Sequence, residues 1–552
     1  MDEAPDRPST PAGQRSMSGR RLDYPRAPVW AILAGAAWRW PRRVALRQNG
    51  YSVTWSELWS RSRSTATALR AAGLAPGDVV VIRLPNGIEF AQMYWAAQLC
   101  GLTTSPVNPR QPPAEAQHQI EDCGARLVIT VPDDDFPAPD GVNVVTPDDL
   151  RPQGAPLDGW VPHHPADLAT AVAHISYTGG TTGVPKGVLV SQRSVVCNAL
   201  QFSYWATGSL PGIGPGGGVV LDQIGGAADW PVRLGTGTVI AVAPWFHAMG
   251  LIGGVVLPAL QGSTSLIPER FDPESFIATV EAARVSSISG APALLAALAA
   301  RLESGSHDVA SVRLVSCGGG PLAPVLADRL SAVFPEAVIT QAYGLTEVTM
   351  AAVGNPTGRG EQRRRGSVGV PMPDTEIRLL PPADDAEETE DGRGEIVVRG
   401  PQIMLGYHGR PDATEEILRD GWLHTGDIGV LDEDGYLSIV DRQKDMLIYK
   451  GYNVYPSELE ALLREHPGVR DAAVVGAPDP DVGDVPVAFV VPASPEALDP
   501  GRLADAVNAQ VVHYKKLREV VVVQSLPTSA VGKVVKGPLR AEAARRAGRR
   551  TG

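Results

Sequence analysis

The stretch YTGGTTGVPKG, residues 177–187, gathers four glycines, three threonines and one lysine into eleven positions. Glycines let successive backbone amides converge on an anion, threonine hydroxyls add donors and the lysine adds charge, a combination that suits phosphate. The spacing is not a Walker loop, because no G-x-x-x-x-G-K-S/T run can be drawn through it. A second glycine cluster, GIGPGG at 212–217, matches the dinucleotide spacing G-x-G-x-x-G. It follows SYWATGSLP, which is no strand, and carries Pro215 where a helix would open, so it reads as a mobile surface loop. Cys100, Cys123, Cys197 and Cys317 form no C-x-x-C pair and sit near no His/Cys cluster. They read as free buried thiols in a reducing cytoplasm rather than as zinc ligands or disulfides.

A phosphate loop needs rigid flanks. AVAHISY before it is apolar enough for a buried strand, and GVLVS after it resumes a strand and reaches a Ser N-cap signal. From Pro28 to Ala171 helical and strand patterns alternate. SELWSRSRSTATALRAAG reads as a helix with a Ser cap and a Gly stop, DVVVIRLP as a strand, EFAQMYWAAQLCG as a helix and ARLVIT as a strand. Such alternation predicts a parallel α/β layer, and the pattern returns between Ile277 and Ile339. Beyond Gly394 turn-joined strands and the helix YPSELEALLREHPGV give an α+β texture. The expected class is α/β: a large N-terminal multi-subdomain domain over 27–441 and a small C-terminal α+β domain over 442–552. Residues 1–26, rich in Pro, Ser, Arg and Asp without an apolar core, are expected to be a disordered tail rather than a signal peptide, and 382–393 an acidic surface loop.

Across 552 residues the formal net charge is −12, which argues against nucleic-acid partners and general membrane-surface binding. No Asp, Glu, Lys or Arg occurs from Leu234 through Pro268, yet Pro244, His247, Pro258 and several glycines interrupt the run. Buried strands and loops are expected there, not a membrane span, and the chain is expected to be cytoplasmic.

The chain resembles the superfamily of adenylate-forming enzymes, which holds acyl-CoA synthetases, nonribosomal adenylation domains and beetle luciferases. The likeness runs from about Pro28 to Arg540 through PWFHAMG, CGGGPL, QAYGLTEVT, GSVGVPMPDTE, GEIVVRG, GWLHTGDIG, DRQKDMLIYKGYNVYPSELE and PTSAVGKVVK, all in family order. It implies two steps. A carboxylate attacks the α-phosphorus of ATP to give an acyl-adenylate and pyrophosphate, and a thiol, usually that of coenzyme A, then displaces AMP. By resemblance Thr178, Thr181, Thr182 and Lys186 hold the β- and γ-phosphates. Glu347 binds Mg²⁺, with Thr182 a second ligand. Gly319, Gly320, Pro321 and Tyr343 line the adenine slot, and Asp427 and Arg442 grip the ribose. Thr346, Lys450 and Gly451 complete the cofactor side. Lys533 bridges the carboxylate and the α-phosphate. His247, with Met249, Gly250, Gly318 and Gly344, borders the acid pocket. Lys444 is the hinge on which the small C-terminal domain, a mobile lid, alternates between Lys533 and the YKGYNVYP face.

The fatty-acyl-CoA ligase branch fits best, and no acidic residue stands near His247 to meet an amino group. The expected partners are a hydrophobic carboxylic acid, ATP, Mg²⁺ and coenzyme A; a homodimer stays open. Two departures stand out. Val531 replaces the Ser or Thr that commonly precedes Gly-Lys, and the stretch from Ser191 to Phe246 is long. The second is expected to reshape the acid pocket or hinder one half-reaction, leaving a ligase that only thioesterifies a preformed adenylate as one alternative. A luciferase-like monooxygenase is the other.

Overall fold

A computed structural model describes residues 20–132, 134, 139–151, 160–178, 185–305, 307–381, 392–450, 452–479, 482–494, 498–529 and 533–550. Thr181, Thr182 and the rest of 179–184, the acidic stretch 382–391, Gly451 and 530–532, with Val531, lie outside the described residues.

The apolar runs build two large sheets. Val79–Arg83 pairs in parallel with Thr103–Pro106 and Ala125–Thr130 at the heart of a seven-stranded sheet. The strands Val172–Tyr177, Gly187–Ser191 and Gly406–Tyr407 extend it on one side. A nine-stranded sheet carries Thr264–Ile267, Thr238–Ile240, Ser287–Gly290, Leu314–Cys317 and Val338–Tyr343 as adjacent parallel strands. The helices Trp55–Ala71, Ile88–Cys100 and Gln192–Thr207 contribute to one continuous core with residues of both sheets. Ile88–Cys100 is buried nearly all round, which is why its sequence is apolar without a polar face. A third, antiparallel sheet contains Arg393–Arg399, Trp422–Leu431 and Leu437–Arg442. A fourth, with its own apolar clusters, contains Leu447–Tyr449, Tyr452–Val454, Val469–Asp479, Gly483–Pro492 and Glu519–Val522.

Several local expectations change. The Trp55–Ala71 helix is capped by Thr54, not Ser56: Thr54 accepts from the Glu57 amide while the Glu57 carboxylate accepts from the Thr54 amide at 2.8 Å. The T-x-x-E spacing of this capping box is visible in TWSE. Residues 20–26 are not a disordered tail. Leu22 is buried, its amide donates to Asp374 at 2.9 Å, and the Arg20 guanidinium lies 5.3 Å from the Tyr204 ring.

The charge-free stretch is not only strands and loops. Ala248–Leu251 runs through a wider turn, Ile252–Val256, into the helix Leu257–Gln261. Pro258 has no amide to give back to the preceding turn, and the Gly254 carbonyl accepts from Ser265 Oγ at 3.4 Å instead. Among the described residues no helix is long and apolar enough to cross a membrane. All four cysteines are free and buried.

GIGPGG is an ordered structure rather than a mobile loop. Ser209–Ile213 and Val219–Gln223 form an antiparallel hairpin turned by Pro215–Gly217, and Val219 and Leu221 join the main core. The hairpin lies so close to the helix Trp30–Arg39 that a Cβ on Gly35 would sit 1.8 Å from the Val219 carbonyl oxygen. Its continuation places Val232 against Leu314 and Val338, at the starts of their strands. The long 191–246 stretch therefore braces the end of the sheet opposite Gly318 and Gly344. The close contact predicts that Gly35→Ala destabilises the chain by about 1–3 kcal/mol or more, read as a lowered urea midpoint.

His174 on the strand Val172–Tyr177 is fully buried with neither ring nitrogen partnered, and burial lowers its pKa from 6.5 to about 4. Between those values the unfolded chain binds the extra proton, so stability falls as pH drops from 6.5 toward 4. His174→Leu is expected to gain about 2 kcal/mol over the parent at pH 5 relative to pH 7.5, flattening the pH dependence of the urea midpoint.

Candidate active site

Two neighbouring parallel strands, Leu314–Cys317 and Val338–Tyr343, end side by side, with Cys317 opposite Gln341. The ends of parallel strands are where ligands bind in α/β sheets. Gly318, Gly319, Gly320 and Pro321 follow the first strand; Gly344 and the turn Thr346–Val348 follow the second. Gly319 has φ 77°, and a Cβ placed on it would find Lys533 Cε as its nearest neighbour at 3.9 Å. Lys533, from the far C-terminal part of the chain, thus reaches the glycine turn. Its own loop is closed by Ser529, whose amide donates to the Lys533 carbonyl at 2.8 Å and whose hydroxyl accepts from the Lys533 amide at 3.2 Å. Packing at the site, then the Arg442 charge, lowers the pKa of the Lys533 ammonium, while Asp427 and Glu347 oppose that shift.

Asp427 is the best-held acid of the site. It is 5% exposed, accepts from the Tyr343 hydroxyl at 2.6 Å and lies 3.1 Å from Arg442 Nε. Strand register produces the ion pair, because Asp427 and Arg442 face each other across Trp422–Leu431 and Leu437–Arg442. Burial opposes the Arg442 charge, but Asp427 and Asp445 raise its pKa overall. Tyr343 stays a phenol, since burial and then the Asp427 charge push its pKa far up.

On either side of 179–184, Tyr177 faces Gly187 in an antiparallel pair, and the Thr178 amide donates to the Lys186 carbonyl at 3.1 Å. Lys186 Nζ stands 4.9 Å from the centre of the Tyr407 ring, and the Tyr407 hydroxyl donates to Glu347 Oε1 at 2.8 Å. Tyr407 therefore spaces the cation from the carboxylate and orients both. Nothing in the sequence motifs considered above marked it; the signal was the strand-like LGYHG that pairs Gly406–Tyr407 with Gly187–Ser191. Among the described residues no cluster of three or more metal-ligating side chains exists. A single carboxylate with Oε2 left free of described partners fits Mg²⁺, which takes its other oxygens from phosphate and water. The other expected metal ligand, Thr182, is outside the described residues.

His247 precedes the helix that runs past the glycine turn. Its ring lies 4.7 Å from that of Phe246, its Nε2 is buried without a partner, and burial together with the Lys533 charge lowers its pKa to about 4. At neutral pH it is a neutral imidazole that can hydrogen-bond a ligand without adding charge. Met249 closes the wall, its Sδ only 3.0 Å from where a Gly318 Cβ would stand. Gly250 and Gly344 are required for a different reason: a Cβ on either would meet the backbone oxygen of Pro244 or Met350 at 1.9 Å. Gly320 packs on Pro292.

Lys444 lies in the turn Gln443–Asp445, between the last strand of the third sheet and the first of the fourth. Its carbonyl accepts from Arg540 at 3.3 Å, and Arg540 also pairs with Asp445. Buried Asp441 accepts from the Ser457 amide at 2.9 Å, and Arg393 lies over the Tyr455 ring at 5.1 Å, so the small C-terminal sheet is docked beside the site. Lys450 is exposed on a turn with φ 49° and is not brought to the Lys533 cluster; Gly451 is outside the described residues.

The model of the AMP-binding enzyme family matches residues 33–408, and that of the AMP-binding enzyme C-terminal domain matches 458–533. A feruloyl-CoA synthase from Amycolatopsis sp is 35% identical over 504 residues, covering 91% of this chain and 96% of the relative. A long-chain-fatty-acid–CoA ligase from Salmonella typhimurium is 32% identical, with 92% of this chain and 93% of the relative covered. The solved structure of o-succinylbenzoate coenzyme A synthetase from Bacillus subtilis with ATP and magnesium superposes with a TM-score of 0.76 at 28% identity, covering 93% of this chain and 99% of that one. Tyr407→Phe keeps the ring under Lys186 and removes the bond to Glu347. It is expected to raise the KM for MgATP about tenfold in pyrophosphate exchange, from loss of one charge-assisted hydrogen bond, while leaving the urea midpoint within experimental error.

Proposed function

The chain is a member of the AMP-binding enzyme family, and from that premise we propose that it is an acyl-CoA ligase acting on a hydrophobic carboxylic acid. The observation that carries the proposal is the meeting of Lys533 with Gly319, beside His247, Asp427 and Arg442. Carboxylate and phosphate repel, so their joining needs positive charge fixed at the reacting atoms. Lys533 supplies it from a residue whose loop is closed on itself. The acid oxygen attacks the α-phosphorus, the bond to the pyrophosphate oxygen breaks, and pyrophosphate leaves with its negative charge near Lys186. Mg²⁺ held at Glu347 would neutralise the phosphates. Asp427 suits the ribose hydroxyls as acceptor, and Tyr343 and Arg442 keep it in place. Neutral His247, with its unpartnered Nε2, positions the carboxylate.

In the second step a thiolate of coenzyme A attacks the acyl carbonyl, forms the thioester bond and expels AMP. Lys533 occupies the site in the present arrangement, so the small sheet must turn away first, and the turn at Lys444 is the pivot we assign. The absence of charge from Leu234 through Pro268 and the Met249 wall support an apolar acid; the aromatic and fatty acyl groups named for the two relatives are the first to try. The hairpin 209–223 packs on the helix Trp30–Arg39 and its continuation through Val232 braces the far end of the sheet, so the long stretch lends no support to a missing half-reaction.

A panel of aromatic and fatty acids, with pyrophosphate release and acyl-CoA formation followed separately, tests this. Lys533→Ala is expected to cut pyrophosphate release at least a hundredfold, in line with loss of roughly 3 kcal/mol of transition-state electrostatics. Conversion of supplied acyl-adenylate and coenzyme A should stay near the parent rate. Equal losses in both steps, in a folded variant, would remove Lys533 from the chemistry.

A further inference from the structure

His247 stands on backbone that belongs to no helix or strand. Thr238–Ile240 ends its strand in the nine-stranded sheet, and Ala248–Leu251 begins only after His247. The residues between must find partners for their amides and carbonyls outside any regular ladder, because buried backbone groups left unpaired are costly. One side chain answers much of that demand. Asn86 lies in the connection between Val79–Arg83 of the seven-stranded sheet and the helix Ile88–Cys100. Its Nδ2 donates to the Ala243 carbonyl at 2.8 Å and to the Ala241 carbonyl at 3.3 Å, and its Oδ1 accepts from the Trp245 amide at 2.8 Å. Among side chains of that length only Asn offers two donors and an acceptor from one planar group.

The line continues to His247. The Pro244 carbonyl accepts from the His247 amide at 3.1 Å, which closes a turn whose second residue, Trp245, is the one whose amide Asn86 holds. The His247 carbonyl accepts from the Leu251 amide at 2.8 Å. Trp245 is fully buried, edge-on to Phe90 with ring centroids 5.4 Å apart, and a Cβ on Gly254 would stand 2.2 Å from its Nε1. Residues 86–90 thus grip the turn by one polar and one apolar contact. Gln48 in turn fixes that connection, its Oε1 accepting from the Ile88 amide at 3.0 Å. Among the described residues, no hydrogen bond of Asn86 reaches Lys186, Glu347, Asp427 or Lys533. Resting on the acyl-CoA ligase reading, we propose that Asn86 is a positioning residue for the carboxylic acid: by fixing residues 241–245 it holds His247 where the unpartnered Nε2 meets the acid, and it leaves the nucleotide side untouched.

Steady-state pyrophosphate release, with acid and MgATP varied in turn, tests the assignment, using the acid that the parent turns over fastest in the panel of aromatic and fatty acids. Asn86→Ala is expected to raise the KM for the acid about tenfold and to leave the KM for MgATP within about twofold of the parent. Asn86→Asp keeps the shape and the acceptor for Trp245 but loses both donors, and should show the same selective loss. In a His247→Ala background, Asn86→Ala should cost less than about twofold, since the two residues act through one contact. Additive losses in the double variant, or an equal rise in both KM values, overturn the assignment whether or not the urea midpoint moves. A parent chain that turns over no acid of the panel overturns the ligase reading beneath it.

Discussion

The burial of one carboxylate governs how this molecule is put together. Asp427 is removed from water on a strand of the third sheet that is paired on both sides, and a lone buried charge is costly. It is made tolerable by two partners from different places. Tyr343 comes from the end of a strand in the nine-stranded sheet, and Arg442 from the last strand before the small C-terminal sheet. Satisfying Asp427 therefore pins three parts of the chain to one point. The turn at Gln443–Asp445 starts one residue beyond that point, so the small sheet departs from a fixed origin.

Around this anchor the site divides its polar groups into finished and unfinished ones. Tyr343, Asp427 and Arg442 satisfy one another, and so do Tyr407 and Glu347 Oε1. His247 Nε2 has no partner, and Lys533 reaches the cluster with its ammonium disfavoured by packing and by Arg442. The finished groups form a frame that holds its shape without a ligand; the unfinished ones are those a carboxylate and a phosphate would complete.

Much of this was legible in the sequence because it depends on local chemistry. A glycine turn, a lone lysine after it and an acid in HTGD advertise themselves through residue type and spacing. The alternation of helices and strands followed from periodicity, as in Val79–Arg83 and Ile88–Cys100. What escaped depends on long-range pairing. Tyr407 matters because a two-residue strand is laid against Gly187–Ser191 from more than two hundred positions away, and no local pattern encodes that. GIGPGG looked mobile because glycines usually mark loose turns; here Gly216 and Gly217, at φ 76° and 80°, turn a hairpin whose next residue, Gly218, lies against Gly35. The Thr54 cap was missed for a smaller reason, a choice between two hydroxyl residues two positions apart, Thr54 and Ser56, that only the Glu57 reciprocity decides.

The cysteines have a bearing on chemical safety. Cys317 ends the strand that leads into Gly318 and Gly319, yet its side chain is wholly buried, and burial raises its pKa to about 12. Cys123 and Cys197 are held at about 12 in the same way, and Cys100 at about 11. The nucleophile in thiol chemistry is the thiolate, and at neutral pH this chain presents essentially none of its own. An activated acyl group released anywhere along its surface would meet no resident sulfur to acylate, so the protein can handle a potent electrophile without becoming its victim. The same concealment makes it a poor target for alkylating agents and for peroxide.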